Sequence, residues 1–148
     1  MRAFLFAWNP DKWEWPDLEQ DVKDLAETGV FVDAWSCASH KAVREGDKAY
    51  LIKLGKEPKG IMGSGFISSE PFMGENHRGQ PRMRILVNFD RLLNPYKEEI
   101  LSLDTLKSGA LAAQHWSTQS SGIAIKPHLV EELESVWLDF LRNKYRNI

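Results

Sequence analysis

Trp35-Ser36 sets an indole beside a hydroxyl. That pairing can hold a flat heteroaromatic ring, with the indole stacked on its face and the hydroxyl bonded to its edge. The pair recurs as Trp116-Ser117 within the polar stretch from Gln114 to Gly122, and Trp8-Asn9 places a third indole next to an amide. Asp33 stands two residues before Trp35. Its carboxylate can accept from an exocyclic amine such as that of cytosine, or it can be an ordinary exposed acid at a strand end; the sequence weighs the two equally. A lone Trp-Ser pair reads more readily as a core aromatic beside a turn residue. The surrounding pattern is what turns the reading toward a ligand.

These groups need elements to carry them. Ala3 to Trp8 is a continuous apolar run ended by Asn9-Pro10-Asp11, which predicts a buried strand and a turn. Trp13 and Trp15 follow beside that turn. Pro16 and Asp17 open a helix in which Leu18, Val22 and Leu25 form one stripe and Gly29 ends it. Val30 to Trp35 then reads as an extended piece that delivers Trp35 to a strand end.

Gly46-Asp47 turns into a strand from Lys48 to Leu54, and the loop Gly55 to Gly60 leads to another, predicting an antiparallel pair. Gly63 and Gly65 fall on one face of that second strand, where they signal either space for a ligand or a bulge. Glu70 to Pro81 is the longest turn-rich segment and is expected to be a mobile loop. Arg82 to Asp90 alternates, with Met83, Ile85, Val87 and Phe89 predicted inward and Arg82 and Arg84 outward. Leu103 to Lys107 predicts a short helix, and Pro127 starts a long last one whose Leu133, Trp137 and Leu141 face the core.

At 148 residues, 43% hydrophobic and 27% charged, the chain is expected to form one domain over residues 1–148. One cysteine, Cys37, allows no internal disulfide, and His40, His77, His115 and His128 lack the spacing of a metal site. No apolar run approaches the ~20 residues of a membrane span. The expectation is a cytoplasmic protein with no cofactor, no metal and no membrane contact.

A net charge of −2 argues against indiscriminate coating of nucleic acid. The middle of the chain is nonetheless basic: Lys48, Lys53, Lys56, Lys59, Arg78, Arg82 and Arg84 face only Glu57, Glu70 and Glu75 between residues 48 and 84. A solvated face and a nucleic-acid contact explain this equally.

Enzyme patterns fare worse. Gly63-Ser-Gly65 lacks the third glycine of a phosphate loop and continues a strand. No Gly-x-Ser-x-Gly elbow occurs, and no spacing rule joins Thr28, Lys41 and Glu45 into a catalytic set.

Taken together, Phe6 to Trp13, Trp35-Ser36, Val43 to Ile52, Leu54 to Ile61, Gly63-Ser-Gly65 and His115-Trp-Ser117 resemble an EVE domain over nearly the whole chain. EVE domains belong with YTH, SRA and ASCH domains in the PUA-like superfamily. The resemblance implies an α/β (α+β) fold, a curved mixed sheet or pseudo-barrel flanked by helices. It also implies a reader of modified cytosine in DNA, 5-methylcytosine or 5-hydroxymethylcytosine, that flips the base into an aromatic cage. EVE domains often accompany a nuclease or a GTPase effector in restriction systems. This chain is therefore expected to be a binding domain rather than an enzyme, free-standing or cut from a larger restriction enzyme.

The residues implied for the pocket are Trp8, Trp35 and Trp116 as walls, with Asn9, Ser36 and Asp33 at the base edge. Ser36 also matches the base-edge serine of the YTH pattern. Lys53, Lys56, Lys59, Arg78, Arg82 and Arg84 are expected to hold phosphates. Two other readings stay open: an RNA-binding PUA-like module recognising a modified base, and an ASCH-type nucleoside hydrolase.

Overall fold

The computed structural model describes residues 1–146. Its strands are β1 (Ala3–Trp8), β2 (Val32–Ser36), β3 (Lys48–Lys53), β4 (Gly60–Ile67), β5 (Phe72–Glu75), β6 (Pro81–Leu92), β7 (Leu101–Ser102) and β8 (Ile123–Ala124). The helices are α1 (Leu18–Thr28), the single turn α2 (Leu103–Leu106) and α3 (Val130–Arg146). A 3-10 turn, Pro127–Leu129, leads into α3.

Six strands run in the order β2-β6-β4-β3-β1-β8, while β5 adds to β6 and β7 to β4. Among the described residues only β1 and β3 pair in parallel; the remaining pairs are antiparallel. The result is the mixed, curved half-barrel with a long C-terminal helix that the sequence led us to expect.

All six residues of the central strand β3 are buried, because a neighbour or a helix covers each face. The stripe of α1 buries Leu18 and Leu25, and the Gly29 N–H donates to Leu25 O at the helix end. On α3 the buried residues Leu133, Trp137 and Leu141 recur every four positions, so one face meets the sheet.

Polar bonds fix how that face is seated. Trp137 Nε1 donates to Ser64 Oγ at 3.0 Å, and Ser64 Oγ donates to Asp90 at 2.6 Å. Lys48, 5% exposed, lies 3.7 Å from both Asp90 and Glu134, and Tyr50 donates to Glu134. Each buried polar group in this set has a partner, so the network orients the helix without an unpaired charge.

One sequence expectation is corrected, and one left open between two readings is decided. The segment from Glu70 to Pro81 is not a long loop: Phe72–Glu75 pairs with Pro81–Arg84 as a β-hairpin. The turn signals belong to its tip alone. Gly63 and Gly65 mark a bulge and not a ligand gap, since the β4–β6 register shifts at Ser64/Gly65. A Cβ on Gly65 would collide with Asn88 O and stand 2.7 Å from Phe89 Cα.

Candidate functional site

A cavity of about 1000 Å³ opens between the end of β1, strand β2, the β5–β6 hairpin and the loop before β8. That volume accommodates a small organic ring together with its substituents. Strand pairing places its deepest aromatic: Trp35 sits opposite Ile85 of β6 and is 4% exposed. It packs against Trp13 at 5.7 Å, Trp15 at 5.6 Å and Phe89 at 6.4 Å between ring centroids. Trp35 lines the cavity, and its buried indole N–H has no acceptor among the described residues. Among the described residues no other buried side-chain polar atom is left unpaired.

Trp13, half-buried at the mouth, supplies the second aromatic surface. His77 from the hairpin tip stacks on it with the rings 6.4 Å apart and 27° from parallel.

Polar groups converge on the same space. Asn9 Oδ1 accepts from Asp11 N at 2.9 Å, which leaves the amide nitrogen free among the described residues. Gly55 closes against this side chain with φ +84°, and a Cβ there would collide with Asn9 Oδ1. Asp33 is half-buried and accepts from Ala34 N at 2.9 Å through Oδ1, leaving its second oxygen unengaged among the described residues. Burial pushes the Asp33 carboxyl above its ordinary range and Asp21 adds to the shift, while the Ala34 N–H and Arg84 oppose it.

Neither a protein-family model nor a curated protein matches the chain. Solved structures do. A hypothetical protein from Leishmania major aligns with a TM-score of 0.67 at 16% identity, over 96% of this chain and 98% of that one. Human THYN1, in complex with DNA containing 5-methylcytosine, aligns at 0.62 and 15% identity over 92% and 97%. The YTH domain of Zygosaccharomyces rouxii MRB1, in complex with N6-methyladenosine RNA, aligns at 0.50 and 12% over 92% and 83%. The fold is PUA-like. The chain is thus a structural match to EVE- and THYN1-like domains and to YTH domains; at these identities the likeness carries the fold alone.

On this PUA-like sheet the expected pocket residues divide. Asn9, Asp33, Trp35 and Ser36 all line the cavity. Trp8 does not: its ring is 2% exposed, held behind Trp13 and Trp15 at 5.9 and 5.3 Å, and its N–H donates to Trp13 O at 3.1 Å. Trp116 is likewise core, 2% exposed with its N–H given to Leu111 O at 2.8 Å. What Trp116 does is pin the loop whose Ser117–Ser121 backbone borders the cavity.

Ser36 lies opposite Arg84, whose guanidinium reaches its hydroxyl at 3.4 Å. Alternation along β2 therefore turns Ser36 to the face away from Trp35.

The basic residues divide as well. Lys59 and Arg82 line the cavity, while Lys56 and Arg78 are exposed near it, Lys56 3.4 Å from Asp11. Two are corrected. Lys53 is fully buried, and its ammonium donates to Lys56 O at 2.7 Å and Pro58 O at 3.0 Å. It cannot reach a phosphate; it holds the 55–60 loop in place. Arg84 lines the cavity but donates to Ala34 O at 2.6 Å and Glu75 O at 2.9 Å as well as to Ser36. Those three bonds brace the hairpin to β2 and leave two of its five N–H groups unengaged among the described residues.

Lys53→Met leaves the Lys56 and Pro58 carbonyls, each in a part-buried bond, without this donor and is expected to cost about 1–3 kcal/mol. Urea unfolding measures this, and a midpoint equal to wild type would refute the anchoring role.

Sequence reasoning passed over Trp13 and His77 as site residues. Trp13 was visible as an indole beside a turn. His77 gave no sign of its place, because the hairpin that carries it lay hidden among turn residues.

Proposed function

We propose that the protein is a binding domain that reads a modified cytosine in DNA by taking the flipped base into this cavity. One observation carries the reading: aromatic faces from Trp13 and Trp35, a free amide donor on Asn9 and a free carboxylate oxygen on Asp33 border a single space. A cytosine presents an exocyclic amine to an acceptor and ring acceptors to a donor, which suits Asp33 and Asn9 respectively. Stacking contributes ~1–3 kcal/mol per base and offsets the few kcal/mol that extrusion costs. The unpaired Trp35 N–H supports the same reading, since a ligand acceptor would complete it. The complex of THYN1 with 5-methylcytosine DNA supports DNA as the partner. A nuclease or GTPase effector, supplied elsewhere, would act on the marked site, as the EVE resemblance implies.

The test is fluorescence-polarisation binding to matched duplexes with cytosine, 5-methylcytosine, 5-hydroxymethylcytosine or 6-methyladenine at one position, beside an N6-methyladenosine RNA. Tightest binding to a cytosine-modified duplex is expected. Equal binding across all duplexes would overturn the reading, and preference for the RNA would transfer the pocket to RNA.

Two smaller effects follow from the rim. Arg82→Ala is expected to weaken all duplexes alike and lower the slope of log K against log salt by about 1; an unchanged slope removes Arg82 from the phosphate path. Asp33→Asn is expected to abolish discrimination while raising the Tm at neutral pH. The sign follows from the raised folded pKa. The folded state holds the proton more tightly than the unfolded chain, so stability falls as pH rises from the ordinary value of 3.8 through the raised one. The penalty is present above the raised value, and asparagine removes it. The gain should vanish in acid, and a Tm lower than wild type at neutral pH would contradict it.

A further inference from the structure

In an antiparallel pair, residues that bond across the ladder alternate with residues that turn their N–H and C=O groups to the far side. Along the β5–β6 hairpin the closing bond from Asn76 N to Gln80 O fixes which residues do which. Gly74 and Phe72 face Arg82 and Arg84 in that same register, so Met73, Glu75 and the preceding Pro71 point their backbone groups outward. Among the described residues β5 pairs with β6 alone, which leaves this outer edge open.

Sheet edges are ordinarily blunted against pairing, and β2, at the end of the strand order, shows how. Its outward Ala34 gives its N–H to Asp33 Oδ1 and takes the Arg84 guanidinium on its C=O. On β5 only Glu75 O is closed in this way, by Arg84 at 2.9 Å. Met73, 66% exposed, keeps both backbone groups unengaged among the described residues.

This arrangement of open and closed groups is self-complementary. With a second β5 antiparallel to the first and Met73 opposite the partner's Met73, those two residues exchange two bonds. Each Glu75 N–H then reaches the partner's Pro71 O. Pro71 has no N–H to return, and the carbonyl it would have served, Glu75 O, is the one that Arg84 already occupies. Sliding the strands until Pro71 meets the partner's Met73 leaves a Met73 carbonyl without a donor, so a single register is favoured.

The side chains agree with that register. Phe72 falls opposite the partner's Gly74, an aromatic set across from an edge glycine. Nothing but the flexible Arg84 stem lies within 3.4 Å of where a Gly74 Cβ would stand, so the ring has room. On the other face Met73 sits beside Met83, and a two-fold axis brings four methionines into one adaptable apolar contact.

We infer that the outer edge of β5 is a self-association surface whose partner is a second copy of this chain, joined β5 to β5 about a two-fold axis. Each side contributes a strand of four residues, so the dimer is small, reversible and concentration-dependent. Glu75 and Asn76 border the cavity, and the pairing therefore sets two cavities on one particle. It holds whether or not the cavity takes a modified base.

Sedimentation equilibrium of the full chain, over concentrations reaching about 1 mM, tests this with wild type, Met73→Pro and Met73→Lys. Wild type is expected to rise from the monomer mass towards the dimer mass. Met73→Pro deletes the two central donors and none of the bonds to β6, and is expected to weaken association at least about tenfold. Met73→Lys keeps the backbone but opposes two like charges; it should weaken association comparably, and less so in high salt. Circular dichroism checks that the variants are folded, and Met73→Lys alone carries the test if proline disrupts the hairpin. Association unchanged in the folded variants overturns the inference, because the contact then runs through another surface. A wild type that stays monomeric throughout also overturns it and leaves the edge to an extended segment of a different protein.

Discussion

Trp35→Phe is expected to fold with stability within about 1 kcal/mol of wild type and to bind the modified duplex at least about tenfold more weakly. Removing a buried tryptophan ordinarily costs several kcal/mol, and Trp35→Ala is expected to lose ~3–5 kcal/mol. Phenylalanine keeps a ring against Trp13, Trp15 and Phe89. It also deletes an N–H that is buried without a partner, a group whose burial costs about 1–3 kcal/mol by itself. The two contributions oppose one another, so the fold hardly registers the change. Binding registers it fully if the N–H exists for the ligand. Calorimetry and polarisation on one preparation separate the cases: a variant that is much less stable but binds normally makes Trp35 a core residue only.

Gly65→Ala tests the scaffold and is expected to be strongly destabilising. The added carbon collides with Asn88 O and Phe89 Cα of β6, backbone atoms that no side-chain rotation can move. Overpacking of this kind costs about 1–3 kcal/mol where neighbours can yield; here the bulge between β4 and β6 must reopen, and we expect about 3 kcal/mol or more. The lost register would also shift Phe89, which packs on both Phe31 and Trp35. Binding should therefore fall together with the urea midpoint. A fully stable Gly65→Ala would show that the bulge is not required.

The strands and helices with strong periodicity were legible: β1, β3, β4, β6, α1 and α3 all declare themselves through apolar runs, alternation or stripes. β7 and β8 have two residues each, too few for any period. β5 escaped because its exposed Phe72 and Met73 sit between proline and glycine, a composition that a surface loop shares. Within the site, residue type was readable but depth was not. Trp8, Trp35 and Trp116 offer the same chemistry in sequence, and only packing shows that the first and last spend their N–H groups on backbone carbonyls. Lys53 misled for a related reason. On a strand covered on both faces, parity no longer separates inside from outside, and a lysine can spend its charge on a loop.

The position of β1 has a kinetic consequence. Phe4 pairs with Ala49 on one side and Ala124 on the other, so this end of the sheet joins segments far apart in the sequence. Closing such long loops precedes the contacts that reward it, and domains built this way refold on the millisecond-to-second scale. The wall from Ser117 to Ser121 is the last part of the cavity to be synthesised and is fixed only when β8 docks, the Ala7 N–H then reaching Ser121 Oγ at 3.1 Å. A nascent chain therefore completes its core strands before it can grip any ligand, and binding competence should appear as the final phase of refolding.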